Sequence, residues 1–159
     1  FRRVLFRSEV GWGISAQAAR QLANAGIAAI DVAGAGGTSW SQVEMYRAKN
    51  PSQKRLAAAF VDWGIPTAES IIQVRQSAPG LPIFASGGIH TGVEIAKSIA
   101  LGASLGGMAG PFLKAASHSL DQTILTIQEI TREIRVTMFA TGAANLSTLQ
   151  NTPLSGYQE

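Results

Sequence analysis

Asp31-Val-Ala-Gly-Ala-Gly-Gly-Thr-Ser-Trp40 puts glycines at 34, 36 and 37 directly after an apolar run, and the hydroxyls of Thr38 and Ser39 directly before a helical pattern. Two further bare stretches end apolar runs, Ser86-Gly87-Gly88 and Met108-Ala109-Gly110. Glycine at a strand end lets a ligand approach the backbone. The uncovered N–H groups and the positive end of the following helix then attract an anion, most often a phosphate. A single such turn is ordinarily only a turn. Three at successive strand ends, all on one edge of a sheet, describe an anion cleft, and in parallel α/β folds that edge carries the site. The last two turns lie about twenty residues apart, which fits the phosphate site after the last two strands of a (β/α)8 barrel.

The neighbouring side chains leave alternatives open. The first turn is no dinucleotide fingerprint: it lacks the third glycine, and no acid ends a following strand about twenty residues on. Thr38 and Ser39 can donate to a phosphate or simply cap a helix. Asp31 ends a buried strand and is costly there unless paired, which suits a structural acid bonded to neighbouring backbone. Trp40 is either a substrate wall or ordinary packing. His90 and His118 lack metal-ligand spacing, and no nucleophile stands beside a base, so no metal ligand is assigned.

The elements that must position these turns alternate. Ala28–Val32, Pro82–Ala85 and Leu105–Met108 read as strands, with Val4–Phe6 or Val4–Val10 as a fourth, all buried on both faces as parallel strands are. Ser15 caps a helix through Leu22 that stops at Gly26. Ser41 with Glu44, and Thr91 with Glu94, have capping-box spacing. The helix from Thr91 presents Val93, Ala96, Ile99 and Ala100 on one face and ends at Gly102. Thr67–Ser77 forms another, closed by Pro79-Gly80. Ser117–Phe139 reads as one long helix whose Leu120, Ile124, Ile127, Ile130, Ile134 and Met138 stripe belongs to the core. Ala48–Leu56 reads as a surface loop. The β-α alternation with short connections predicts an α/β fold with a parallel sheet and right-handed crossovers.

Composition sets the outer bounds. The 159 residues are 46% hydrophobic and 14% charged, enough for one domain with a real core. The net charge of +3 comes from Arg2, Arg3 and Arg7; the other ten basic residues face ten acids. That leaves no basic face for nucleic acid. There is no cysteine, which excludes disulfides, thiolate catalysis and thiolate-held metals. No apolar run reaches the roughly 18 residues of a membrane span. The opening FRRVLFRS is no secretory signal, the Asn145-Leu146-Ser147 triplet is read as chance, and a cytoplasmic location is expected.

Three blocks carry a family resemblance: DVAGAGGTSWSQVE, ASGGIHTGVEIAKSIALGA and GGMAGPFLKAA, with the tail MFATGAANLSTLQNTPL. Together they resemble the type 2 isopentenyl-diphosphate isomerases over roughly Glu9 to Leu154. The resemblance implies the C-terminal half of an FMN-dependent (β/α)8 TIM barrel, four parallel strands with helices, over residues 9–159. Residues 1–8 are expected to be an atypical start, foreign or misread. The family interconverts isopentenyl and dimethylallyl diphosphate with reduced FMN, Mg2+ on the substrate diphosphate, and NADPH to keep the flavin reduced. Carried onto this chain, it implies FMN-phosphate contacts at Thr38, at Gly87, Gly88 and Ile89, and at Ala109 and Gly110. Trp40 and Glu44 would stand near the reacting end, and the full-length form would be a homo-oligomer. Ser8 stands where the family has a flavin-touching lysine, and the family's acid–base pair belongs to the absent half. The chain is therefore expected to be a fragment that is inactive alone. The alternatives are half of another FMN-dependent oxidoreductase barrel, or a non-enzymatic phosphate-binding half-barrel.

Overall fold

The computed structural model describes residues 5–156. Four parallel strands run in the order β1 (Phe6–Ser8), β2 (Ala29–Asp31), β3 (Ile83–Ala85), β4 (Leu105–Gly106). Registers pair Arg7 with Ile30, Ile30 with Ile83 and Phe84 with Leu105. Helices fill every connection: α1 (Ala16–Asn24) after β1, then α2 (Trp40–Arg47), α3 (Pro51–Ala58) and α4 (Thr67–Ser77) after β2. α5 (Gly92–Ala100) follows β3, and α6 (Gly110–His118), α7 (Leu120–Ala140) and α8 (Leu146–Gln150) follow β4. Strand order equal to chain order, with a helical crossover between each parallel pair, is the arrangement of half a (β/α)8 barrel.

The core lies between the two central strands and the helices behind them. Ile30, Val32, Ile83, Ile71 and Val74 are all fully buried. Each contributes about 1.5–3 kcal/mol by leaving water. Ser70 is buried among them because its hydroxyl serves the loop after β1: it accepts the Ile14 N–H at 2.8 Å and donates to the Ile14 carbonyl at 2.9 Å. That pair binds α4 to the start of α1.

Several helix boundaries follow the sequence signals. Ser15 caps α1, the Thr91–Glu94 capping box opens α5, and α4 spans the expected Thr67–Ser77. Other expectations are refined or corrected. The fourth strand, expected as Val4–Phe6 or Val4–Val10, is Phe6–Ser8, inside the wider span and held parallel to β2 with the Phe6 ring 5.4 Å from that of Phe84; residues 1–4 lie outside the described residues. β1 and β4 are not buried on both faces, because each is an edge with one neighbour: β1 is exposed throughout and Leu105 is 50% exposed. α2 is capped by Ser39 rather than Ser41, whose side chain is buried. The stretch expected as a loop at Ala48–Leu56 contains α3, capped by Asn50 with Pro51 at its first position.

The long helix expected over Ser117–Phe139 is α7, with Ser117 and His118 belonging to the end of α6. Ser119 is extended at φ −170°, ends α6 and caps α7 with its hydroxyl. Nor is the α7 stripe all core. Leu120, Ile124 and Ile127 are exposed, while Ile130, Ile134 and Met138 are partly buried. The support sits at the second half of the helix, where Glu133 takes the Gly92 N–H at the start of α5. Among the described residues, no helix is long and apolar enough to cross a membrane.

Candidate functional site

The carboxyl ends of all four strands open into one cleft of about 690 Å3. β1 brings Ser8 and Glu9 to it, β2 brings Asp31 and the turn Gly34–Thr38, β3 brings Ser86–His90, and β4 brings Gly107–Gly110. Thr38, Trp40, Gly87, Gly88, Ile89, Ala109 and Gly110 all line the cleft, so the structure brings these seven expected residues together. Glu44 does not line it; it is exposed on α2, one turn beyond Trp40.

The backbone suits an anion. The N–H groups of Gly36, Gly37 and Thr38, of Gly87, Gly88 and Ile89, and of Ala109 and Gly110 make no hydrogen bond within the described residues. α6 begins at Ala109 and Gly110 with no side-chain cap, and Pro111 behind them has no N–H to offer. The positive end of that helix faces the cleft rather than a capping hydroxyl. A Cβ on Gly110 would meet nothing within 4 Å. This donor set fits a phosphate group, and with it the phosphate end of FMN.

The glycines of the first and second turns have a further reason. The two turns lie backbone on backbone. Gly88 has φ +73°, and a Cβ on it would come within 2.9 Å of the Gly36 Cα and closer still to the Gly36 carbonyl. A Cβ on Gly87, at φ +101°, would press on the Gly34 N at 2.6 Å. Gly34 in turn leaves room for the start of α4 at Thr67. Gly87 and Gly88 are thus required by close packing on the first turn, Gly34 by the start of α4, and Gly36 by its φ of +148°, while Gly37 leaves the Gly88 N uncovered.

Side chains fasten these turns. Asp31 accepts the Ser86 hydroxyl at 2.6 Å and the Ala33 N–H at 3.3 Å on one oxygen, and the Ser8 hydroxyl at 2.9 Å on the other. One carboxylate therefore ties the ends of three strands, a wider role than the expected backbone contact. Ser8, which stands where the resembling family has a lysine, serves in this tie. Trp40 donates its indole N–H to the Val10 carbonyl at 2.8 Å and stays 47% exposed, so packing and cleft wall are both filled by one ring. Ser39 caps α2 and donates to the Val61 carbonyl at 2.9 Å, which leaves Thr38 as the hydroxyl at the cleft. Glu94 is held below the ordinary glutamate range: the His90 N–H at 2.7 Å lowers it most, burial opposes this, and the Thr91 N–H at 3.1 Å lowers it further.

Two polar residues at the site escaped the sequence reading. Glu9 gathers the N–H groups of Val10, Gly11 and Trp12 on a single oxygen, at 2.5, 2.8 and 2.8 Å. An acid directly before Val-Gly-Trp-Gly was the available signal. Thr67 was visible only as a helix start. Its hydroxyl donates to the Gly87 carbonyl at 2.6 Å from behind the cleft, where a second cavity of about 410 Å3 lies between α4, α5 and the chain around Leu154.

Comparison with known proteins agrees with this geometry. A protein named isopentenyl-diphosphate delta-isomerase from Stutzerimonas stutzeri is 51% identical over 146 residues, 92% of this chain and 42% of that protein. One of the same name from a Synechococcus species is 53% identical over 142 residues, 89% of this chain and 41% of that protein. The chain thus spans about two-fifths of the length of the curated relatives it matches. The crystal structure of a mandelate oxidase superposes with a TM-score of 0.68 at 19% identity, over 95% of this chain and 39% of that one, which shows the fold. The resemblance and the half-barrel reading are both borne out. The family model described as FMN-dependent dehydrogenase matches residues 13–155, and the chain belongs to that family.

Proposed function

We propose that this chain is the FMN-phosphate-holding part of a type 2 isopentenyl-diphosphate isomerase. The observation that carries the reading is the set of unbonded N–H groups on three turns at one edge of the sheet. Gly87, Gly88, Ile89, Ala109 and Gly110 would receive the phosphate, with the Thr38 hydroxyl as a further donor. Trp40 would wall the cleft toward the reacting end. Glu44 is assigned to that end by resemblance alone, since it stands outside the cleft of these residues. Reduced FMN would supply the electron-rich ring against which an isoprenyl diphosphate is isomerised. NADPH would keep it reduced, and Mg2+ would bind the diphosphate through residues of the other part of the protein. A cytoplasmic homo-oligomer that takes a small-molecule substrate, with no nucleic-acid or membrane partner, completes the reading.

Two measurements test it. The purified chain should bind FMN and discriminate against riboflavin, which lacks the phosphate, in a flavin absorbance titration. A barrel completed with the upstream part of the Stutzerimonas stutzeri relative should convert isopentenyl diphosphate when FMN, a reductant and Mg2+ are supplied, while the chain alone converts none. Equal affinity for the two flavins would remove the phosphate cradle. A completed barrel that oxidised 2-hydroxy acids and left isopentenyl diphosphate untouched would move the assignment to an oxidoreductase.

A further inference from the structure

The proposal concerns Thr67, which lies outside the cleft, on the first turn of α4. The Ser86 carbonyl accepts the Gly34 N–H at 2.9 Å, and the Gly87 carbonyl accepts the Thr67 hydroxyl at 2.6 Å. The same hydroxyl lies 3.3 Å from the Ser86 carbonyl, so it holds two successive peptide units from one side. A trans peptide is planar, with its N–H opposed to its C=O. Fixing the Gly87 carbonyl toward Thr67 therefore fixes the Gly88 N–H the other way, toward the cleft. The cleft side is kept open there: a Cβ on Gly37 would sit 3.0 Å from the Gly88 N and cover it. The Gly88 N–H makes no other hydrogen bond within the described residues.

We propose that Thr67 is a positioning residue of the phosphate turn: its hydroxyl, acting from behind, aims the Gly88 N–H at the anion. The inference rests on the reading of the cleft as the FMN-phosphate site. Glycines at φ +101° and +73° have a wide conformational range and would otherwise let these peptides rotate. The Ser86 hydroxyl is tied to Asp31, but Gly87 and Gly88 have no side chain to hold the peptides that follow. A hydroxyl on a neighbouring helix does so while contributing nothing to the cleft wall of the ligand.

Thr67→Val keeps the shape and removes the hydroxyl; Thr67→Ser keeps the hydroxyl. Each is titrated with FMN and with riboflavin, using the whole chain. The parent's preference for FMN over riboflavin tests the reading itself. Given that preference, Thr67→Val should bind FMN about tenfold more weakly or worse, the loss expected for one misdirected hydrogen bond to a charged group. Riboflavin binding should be unchanged, and Thr67→Ser should restore the preference. A merely structural threonine would lower both affinities together or neither, and either result overturns the proposal. If Thr67→Val does not fold, amide spectra of the parent decide: inorganic phosphate should shift the Gly88 N–H signal strongly, and an unmoved Gly88 signal overturns the proposal.

Discussion

Replacing Gly88 by alanine should damage the fold before it touches any ligand. The residue sits at φ +73°, where an L side chain costs roughly 1–2 kcal/mol. Its new methyl would fall on the Gly36 backbone, which is no flexible side chain that can swing aside. The turn must shift, at the roughly 1–3 kcal/mol typical of overpacking. The two together give about 2–5 kcal/mol, against a total stability of about 5–15 kcal/mol for an ordinary domain. Gly110→Ala is the matched control. Its Cβ would meet nothing, its φ is ordinary, and alanine is the better helix residue, so its stability should stay within about 1 kcal/mol of the parent. Urea unfolding of the three proteins, with the denaturant slope compared, reads the difference directly. If Gly88→Ala unfolded at the parent's midpoint, the backbone-on-backbone contact between the turns would be wrong, and with it the account of why both turns are so rich in glycine.

Ser70→Ala should cost about 1–3 kcal/mol, since it strands the buried N–H and carbonyl of Ile14, and a thermal melt of the variant checks it. Glu94 has a folded-state pKa below its unfolded value, so its contribution is present above the unfolded value, near 4.3, and is lost as pH falls through the lower folded one. In Glu94→Gln that part of the acid dependence should vanish, and acid titrations of helicity for both proteins would show it. The chain should self-associate through its two open sheet edges and the exposed Leu120, Ile124 and Ile127 of α7; sedimentation as a clean monomer would contradict this.

The central strands and the three turns were legible because their signals are local. Apolar runs bounded by glycines marked β2 and β3, and Thr91-x-x-Glu94 marked the start of α5. The errors arose where neighbours decide. The α7 stripe has helical spacing, but periodicity does not say whether a partner covers each turn, and here one covers only the second half. Ser39 and Ser41 are equally good caps on paper, and the contact of Ser39 with Val61 selects the first. α3 was hidden by polarity, because Lys54 and Arg55 make a helix that buries nothing. Thr67 and Gly87 stand twenty residues apart, joined only by folding, so no spacing rule connects them.

The interlocked turns also constrain how this sequence can vary. Side chains that touch can be exchanged in pairs, a larger one against a smaller. Gly36 and Gly88 meet through main chain alone, so there is no second substitution that compensates for the first. Recombination between related sequences should tolerate a join anywhere from α2 to the start of β3 only when both parents carry the bare backbone at both ends. Drift at these positions is closed singly and jointly, whichever ligand the cleft holds.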